Sequence, residues 1–303
     1  MKLGILVVYM LEERDERLLD LHLNRIEANT AVPYKIYGIA NELLPQFEKK
    51  LDNHPKVEIY DCPSPEPGLG GSRELAFYLN KLIDVAINED VTHICTLHPD
   101  SFPVKLGWAG ELADNLSEDC PLTGIMRHEK IDRKPMTACI YFRRNFYLKY
   151  KPSFLLSPEI LSSEEFSKYK EKFPIANPKE CGVGYGYKIY QENLDWEPLS
   201  RSNETEAHHY FGGIYGDKVF HLGAANFPGR GFPGAEKLKA RKALSFLLPQ
   251  GLKDFLRRLF PLELLFSDLR ERKQMYEKVR KGLLKNPESF IETLRSGEGG
   301  NST

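Results

Sequence analysis

A histidine and an aspartate stand two positions apart at the end of an apolar segment. His98-Pro99-Asp100 directly follows residues 92–97, THICTL, which have the composition of a buried β-strand. Side chains at positions i and i+2 of an extended chain share a face, so both can reach one metal ion or one bound ligand. The alternative is a plain strand-to-loop turn, because Pro and Asp are common turn residues.

Two further residues have the chemistry of a reactive site. His221 ends a short apolar stretch, 218–222, before a loop rich in Gly. Glu180 precedes a predicted helix and follows an irregular segment at 147–179. A carboxylate near a helix N-terminus is kept ionised by the helix dipole, and is then available as a base. Each residue also has a structural interpretation, since buried histidines and acidic helix starts are common without any catalytic role.

Strands and helices alternate through the first 150 residues. Strands are predicted at 3–9, 34–39, 57–60, 92–97, 122–126 and 137–142, with helices at 11–30, 43–51, 72–87 and 106–116. This alternation predicts an α/β fold in which helices flank a mostly parallel sheet. Ligands of such sheets bind at the carboxyl ends of the strands, where His98 and Asp100 are placed.

The C-terminal part of the sequence differs in composition. We predict a main domain at 1–234, a basic helical extension at 235–296 and a disordered tail at 297–303. Segment 252–266 begins with an amphipathic helix whose polar face carries Lys and Arg. Such a helix packs on its own domain or lies on a membrane surface as a peripheral contact.

Composition excludes several classes of protein. The chain has 303 residues, 41% hydrophobic and 28% charged, with a net charge of −1. It is therefore not generally disordered, and a nucleic-acid partner is not expected. No apolar run approaches the ~18 residues of a membrane span. Five scattered cysteines without a CxxC pair, and an N-terminus that fits a strand better than a signal peptide, lead us to expect a cytoplasmic protein.

Residues 68–108 resemble the family-2 glycosyltransferases, which have the GT-A fold. That family shows a small-residue turn, a helix with an Asn and an Ala, and an apolar strand that ends in Asp-x-Asp. The corresponding residues here are Gly70-Gly71-Ser72-Arg73, Asn80-Lys81, Ala86 and His98-Pro99-Asp100. The resemblance extends over about residues 1–225, and it departs from the family where His98 replaces the first acidic residue.

The resemblance implies an enzyme that transfers a sugar from a nucleotide-sugar donor to a hydroxyl acceptor, with inversion. A divalent cation, Mn²⁺ or Mg²⁺, would stabilise the leaving diphosphate. The resemblance implies that Asp100 and His221 bind this metal, that His98 assists at the metal or the diphosphate, and that Glu180 is the general base. The residues implied in donor binding are Tyr9, Asn41, Gly71, Arg73, Asn80 and His98.

Two other functions fit parts of the sequence. A nucleotidyltransferase on a similar scaffold would carry a basic, Gly-rich loop after the first strand, whereas residues 11–15 are LEERD. A non-catalytic protein that binds sugar nucleotides is the other alternative, because His98 and Cys181 stand where the family has acidic residues. Such a protein would retain the donor without releasing nucleoside diphosphate.

Overall fold

The computed structural model describes most of the chain. The described residues are 1–41, 43–65, 69, 71–126, 132–175, 177–203, 211–223 and 267–296, with side chains from residue 274 onward in the last range. The predicted amphipathic segment 252–266 and the predicted tail 297–303 lie outside these ranges. Within them, the chain forms two β-sheets with helices packed against both.

The larger sheet has seven strands in the order β3-β2-β1-β4-β7-β6-β8. The strands found among the described residues are Leu3–Tyr9 (β1), Tyr34–Ala40 (β2), Val57–Ile59 (β3), His93–Leu97 (β4), Ser101–Pro103 (β5), Leu122–Ile125 (β6), Met136–Arg143 (β7), Glu197–Leu199 (β8), Gly213–Tyr215 (β9) and Val219–His221 (β10). In the larger sheet β7 runs antiparallel to β4 and β6, and the other neighbours are parallel. The predicted α/β fold with a mostly parallel sheet is confirmed.

Helices cover both faces of this sheet. The α-helices of the described residues are Glu16–Asn29 (α1), Pro45–Asp52 (α2), Ser72–Ala86 (α3), Trp108–Asp114 (α4), Arg144–Tyr150 (α5), Pro158–Leu161 (α6), Glu164–Lys172 (α7), Val183–Gln191 (α8), Ser267–Lys285 (α9) and Pro287–Ser296 (α10). Alternate residues of β1 pack on opposite sides: Leu3, Ile5 and Val7 join the cluster that includes α1, and Leu6 and Val8 join that of α3. Burial on both faces explains the uninterrupted apolar run of β1.

A second sheet is formed by β5, β10 and β9 in that order, all antiparallel. Of these strands the sequence predicts only β10. All three have three residues each, and β5 and β9 show no visible alternation. Phe102 of β5 and Phe220 of β10 stack with ring centroids 5.1 Å apart. Helices α9 and α10 cover this sheet, and their Val279 and Leu283 are fully buried in the same cluster. The C-terminal helices are therefore part of the core around this sheet.

Two ion pairs join α9 to the segment that follows β1. Arg280 Nη2 lies 3.0 Å from Asp15 Oδ1, and both side chains are largely buried. Arg14 Nη1 lies 2.9 Å from Glu277 Oε1, but both of these side chains are more than 40% exposed. The exposed pair contributes little to stability, and the attraction within the buried pair is offset by the cost of desolvating its charges. Apolar burial is therefore the main force that holds α9 in place.

No helix among the described residues is both long enough and apolar enough to cross a lipid bilayer.

Leu283→Ala tests the contribution of α9 to the core. We expect it to lower the free energy of unfolding by about 2–5 kcal/mol, because it removes a fully buried side chain and leaves a cavity. Leu148→Ala is the matched control, since Leu148 is 41% exposed on α5. Urea denaturation measures both. An unchanged midpoint for Leu283→Ala would show that the C-terminal helices do not contribute to the cooperative unit.

Candidate active site at the carboxyl end of β4

The turn that leaves β4 carries His98 and Asp100 and is held by Ser101. The Ser101 hydroxyl accepts a hydrogen bond from the His98 backbone N–H (2.8 Å) and donates one to the Ala138 carbonyl of β7 (2.7 Å). Ser101 is fully buried and is the first residue of β5. Since these bonds satisfy buried backbone groups, the turn has a fixed shape.

His221 reaches this turn from a distant part of the sequence. In the pairing of β10 with β5, His221 lies opposite Ser101, and the Leu222 N–H donates to the Asp100 carbonyl (2.9 Å). His221 Nε2 lies 3.6 Å from Asp100 Oδ1, and His98 Nδ1 lies 4.0 Å from the same oxygen. The two imidazole rings meet edge to face, with centroids 5.6 Å apart. The structure thus brings together three residues that the sequence predicts for one site.

The Asp100 carboxylate lies in a mostly buried position. Burial raises the pKa of Asp100 above its ordinary value, whereas the charge of protonated His98 and the Gly223 N–H, 3.3 Å from Asp100 Oδ2, lower it. Asp15 acts in the same direction as burial. Tyr276 of α9 is also near, because the Asp100 charge adds to burial in raising the pKa of Tyr276. A cation at Asp100 would offset the cost of burying its charge.

The three side chains fit a divalent metal ion. One ligand atom from each of His98, Asp100 and His221 lies within 4.8 Å of the other two. Three ligands of this kind can hold an ion and leave further positions for water or substrate oxygens. Two imidazoles and one carboxylate suit a transition metal such as Mn²⁺ better than Mg²⁺, which prefers oxygen ligands.

Glu180 forms part of a second, separate cluster. The Lys134 ammonium lies 2.7 Å from Glu180 Oε2 and 3.2 Å from Asp132 Oδ2. Lys134 is 1% exposed and Asp132 5%, whereas the Glu180 side chain is 29% exposed. Two carboxylates thus share one buried ammonium, and Glu180 is the member that faces outward. Nothing in the sequence marks Lys134, because a single lysine before an apolar strand carries no recognisable signal.

Close packing of α8 determines where Glu180 lies. Gly182, at the N-cap of α8, has φ +90°, and a Cβ there would lie 2.1 Å from the Pro135 carbonyl oxygen. A Cβ at Gly184 would lie 1.9 Å from the Ser153 carbonyl oxygen. The glycines therefore let the start of α8 approach two backbone segments closely. Glu180 lies just before this start, next to the Lys134 segment.

Two predicted donor contacts, Tyr9 and Asn41, lie at the carboxyl ends of β1 and β2. The Asn41 N–H donates to the Tyr9 carbonyl (2.9 Å), and its side-chain amide donates to Glu74 Oε1 (3.1 Å). The Tyr9 ring is fully buried against His22. These residues lie at the edge of the sheet where a ligand is expected, and their role in binding stays a prediction.

The other predicted donor contacts lie on α3. Gly71 caps α3 with φ +68°, and Arg73 lines a small cavity together with Glu180. The Asn80 amide donates to Ser153 Oγ (3.0 Å) and its oxygen accepts from the Phe154 N–H (2.9 Å). Asn80 therefore attaches the segment around Ser153 to α3, whereas Arg73 is placed beside the predicted base.

His22 also supports the turn, and no sequence pattern predicts this role. Its Nδ1–H donates to the Ser101 carbonyl (2.8 Å), and the side chain is completely buried on α1. Burial lowers the pKa of His22 to about 4, and the bond to Ser101 only partly opposes this shift. The imidazole is therefore neutral at neutral pH.

The His22 shift predicts a pH-dependent stability. A histidine whose pKa is lower when folded stabilises the protein fully above pH 6.5, and this stability is lost as pH falls towards 4. His22→Asn retains a donor for Ser101 but does not titrate. We expect the wild-type protein to lose up to about 3 kcal/mol relative to His22→Asn between pH 7 and pH 4. Urea denaturation at several pH values measures this difference, and a constant difference would contradict it.

Comparisons with known proteins give only remote structural similarities. No protein-family model matches the chain, and no curated protein matches its sequence. Mouse xyloside xylosyltransferase 1 superposes with a TM-score of 0.40 at 10% identity, over 66% of this chain and 85% of that one. Mannosyltransferase PcManGT from Pyrobaculum calidifontis, in complex with GDP-Man and Mn²⁺, gives 0.41 at 8% identity, over 67% and 57%.

A third similar structure is TarS 1–349 from S. aureus, with a TM-score of 0.36 at 14% identity over 54% of this chain and 52% of that one. The chain therefore spans little more than half of the second and third of these structures. Because all three TM-scores are below 0.5, the assignment of chemistry depends on the side chains of the site itself.

Proposed function

We propose that the protein is a glycosyltransferase that moves a sugar from a nucleotide-sugar donor to a hydroxyl acceptor. The convergence of His98, Asp100 and His221 at the carboxyl end of β4 carries this proposal. These three side chains lie where α/β sheets bind their ligands, which supports their role as metal ligands. The resemblance of residues 68–108 to family-2 glycosyltransferases assigns the same place to the donor diphosphate.

The metal is proposed to be held by all three of these residues. When bound, a divalent cation stabilises the negative charge that develops on the leaving diphosphate. Asp100 supplies the charge that attracts the ion, and the imidazoles of His98 and His221 shift the preference towards Mn²⁺. The fixed Ser101 turn and the β10–β5 pairing hold the ligand atoms in place, so little order has to be gained on binding.

Glu180 is proposed to be the general base. It takes the proton of the acceptor hydroxyl, the oxygen forms a bond to the anomeric carbon, and the bond from that carbon to the diphosphate oxygen breaks with its electron pair on the diphosphate. The outcome is inversion. Asp132 is important here because it also pairs with Lys134. When Glu180 becomes protonated, Lys134 keeps one carboxylate partner and is not left as an unpaired buried charge.

Asp100→Asn tests the metal site. We expect it to weaken Mn²⁺ binding by about 100-fold or more, because it removes the one carboxylate among three ligands. Titration of Mn²⁺ followed by electron paramagnetic resonance measures this without any substrate. Asp52→Asn, at an exposed position of α2, is the control.

The same titration with Mg²⁺ tests the donor set. The wild-type protein should prefer Mn²⁺, and His98→Asp, which replaces an imidazole by oxygens, should increase the affinity for Mg²⁺. Full Mn²⁺ binding by Asp100→Asn would refute the metal assignment.

Glu180→Gln tests the base. A screen of nucleotide sugars by thermal shift with Mn²⁺ identifies the donor, and release of nucleoside diphosphate then reports turnover. We expect turnover to fall by about 10²- to 10⁴-fold with donor affinity unchanged, because Gln keeps the shape but cannot accept the proton. Glu171→Gln, exposed on α7, is the control.

Three results would change this assignment. If donor affinity falls together with turnover, Glu180 is a donor-site or structural residue. If turnover is unaffected, the base lies elsewhere. If the wild-type protein binds donors and never releases nucleoside diphosphate, it is a sugar-nucleotide-binding protein and not an enzyme.

A further inference from the structure

A small cavity lies beside the proposed base. Its wall carries three charged side chains, those of Arg73, Lys179 and Glu180. The other side chains of the wall are apolar: Phe154, Leu155, Leu156, Leu161 and Pro178. The free volume is about 10 Å³, which is room for one water-sized group. A hydroxyl group has this size, so the cavity can admit the reacting end of an acceptor and little more.

Packing of α3 against the start of α8 brings Arg73 to this cavity. Ser72 and Arg73 are the first two residues of α3, and the Cys181 thiol donates to the Ser72 carbonyl (3.1 Å). Lys179 and Glu180 directly precede Cys181 in the sequence. The charged side chains of the cavity therefore come from two segments that are distant in the sequence and adjacent in the fold.

The surroundings of Arg73 do not explain it as a stabilising residue. Arg73 is half-buried, and its side chain has no hydrogen-bond or ion-pair partner in the part of the chain that the structure describes. A cation in the first turn of a helix is also disfavoured, because the positive end of the helix dipole lies there. The planar guanidinium group matches the paired oxygens of a carboxylate or a phosphate, so Arg73 is suited to bind an anionic ligand.

The charges around Glu180 leave room for one more anion. Lys134 lies 3.2 Å from Asp132 and 2.7 Å from Glu180, so these two carboxylates share one ammonium. Arg73 and Lys179 add two further cations at the cavity. The five side chains thus carry three positive and two negative charges, and a singly charged anion balances them. The apolar part of the wall excludes water and so strengthens the attraction.

We propose that the acceptor is an anionic hydroxyl compound, whose carboxylate or phosphate is bound by Arg73 and Lys179 while its hydroxyl enters the cavity beside Glu180. This inference rests on the proposed glycosyltransferase function. It assigns Arg73 to the acceptor, whereas the sequence resemblance implies a contact with the donor. The reason is that Arg73 lines the cavity together with the proposed base, and the three proposed metal ligands form a separate cluster. Because the cavity is small, the hydroxyl and the anionic group must be close neighbours in the acceptor.

The test uses three probes with the same hydroxyl-bearing skeleton: glycerate, glycerol 3-phosphate and neutral glycerol. Ligand-observed NMR titration measures their binding to the full-length protein without metal. Arg73→Gln and Lys179→Gln each remove one charge from the cavity. Lys168→Gln is the control, because the Lys168 side chain is 61% exposed on α7 and pairs with Glu164 of the same helix. A second measurement, thermal shift with Mn²⁺ and UDP, GDP or ADP, reports donor-site binding in the same four proteins.

We expect the wild-type protein and the control to bind glycerate or glycerol 3-phosphate more tightly than glycerol, and the preferred probe identifies the anionic group. Arg73→Gln should weaken anion binding about 10- to 100-fold, because it removes hydrogen bonds to a charged group. Lys179→Gln should weaken it about 2- to 5-fold, since Lys179 is exposed and solvent screens its charge. The shift with nucleoside diphosphate should be the same in all four proteins.

Three results would overturn the inference: equal affinity of the wild-type protein for the three probes, anion binding that Arg73→Gln leaves intact, or loss of nucleoside diphosphate binding in Arg73→Gln. The last result would assign Arg73 to the donor site. If the wild-type protein binds no nucleoside diphosphate, the proposed glycosyltransferase function fails. The probe titrations still decide whether Arg73 and Lys179 form an anion site.

Discussion

The pairing of β10 with β5 is the constraint on which the candidate site depends. β5 begins immediately after the turn that carries His98 and Asp100, and the antiparallel register places His221 opposite Ser101. A shift by one residue would turn the His221 side chain to the other face of the sheet, because side chains alternate along a strand. The apolar side chains of Phe102 and Phe220 hold this register, since they must remain in the core.

The pairing of β10 with β5 depends in turn on the C-terminal helices α9 and α10. Helices α9 and α10 bury Val279, Leu283, Ile291 and Leu294 against the small second sheet, which could not be stable alone. The apolar contacts of α9 and α10 therefore stabilise β5 and β10, the two strands that position the site residues. Tyr276 of α9 lies nearer to the site itself, because the charge of Asp100 contributes to the raised pKa of Tyr276.

The region around β7 and α8 connects the metal cluster with the proposed base. Thr137 of β7 lies 3.0 Å from His98 Nε2, and Lys134, just before β7, pairs with Glu180. Glycines in α8 permit the close approach that makes these contacts. The two clusters are thus separate in their hydrogen bonds, and β7 with the segment before it contacts both.

The sequence by itself determined the α/β fold and the strand that precedes His98 and Asp100, because apolar periodicity reports which faces of an element are buried. It also supplied His221 and Glu180 as candidates. It could not show that His221 contacts Asp100, that Lys134 is buried between Asp132 and Glu180, or that Thr137 and His22 support the turn. These contacts join residues far apart in the chain. Only the tertiary structure decides them, since strand register and the close packing of glycine-containing helices are set by the whole core and not by local residue patterns.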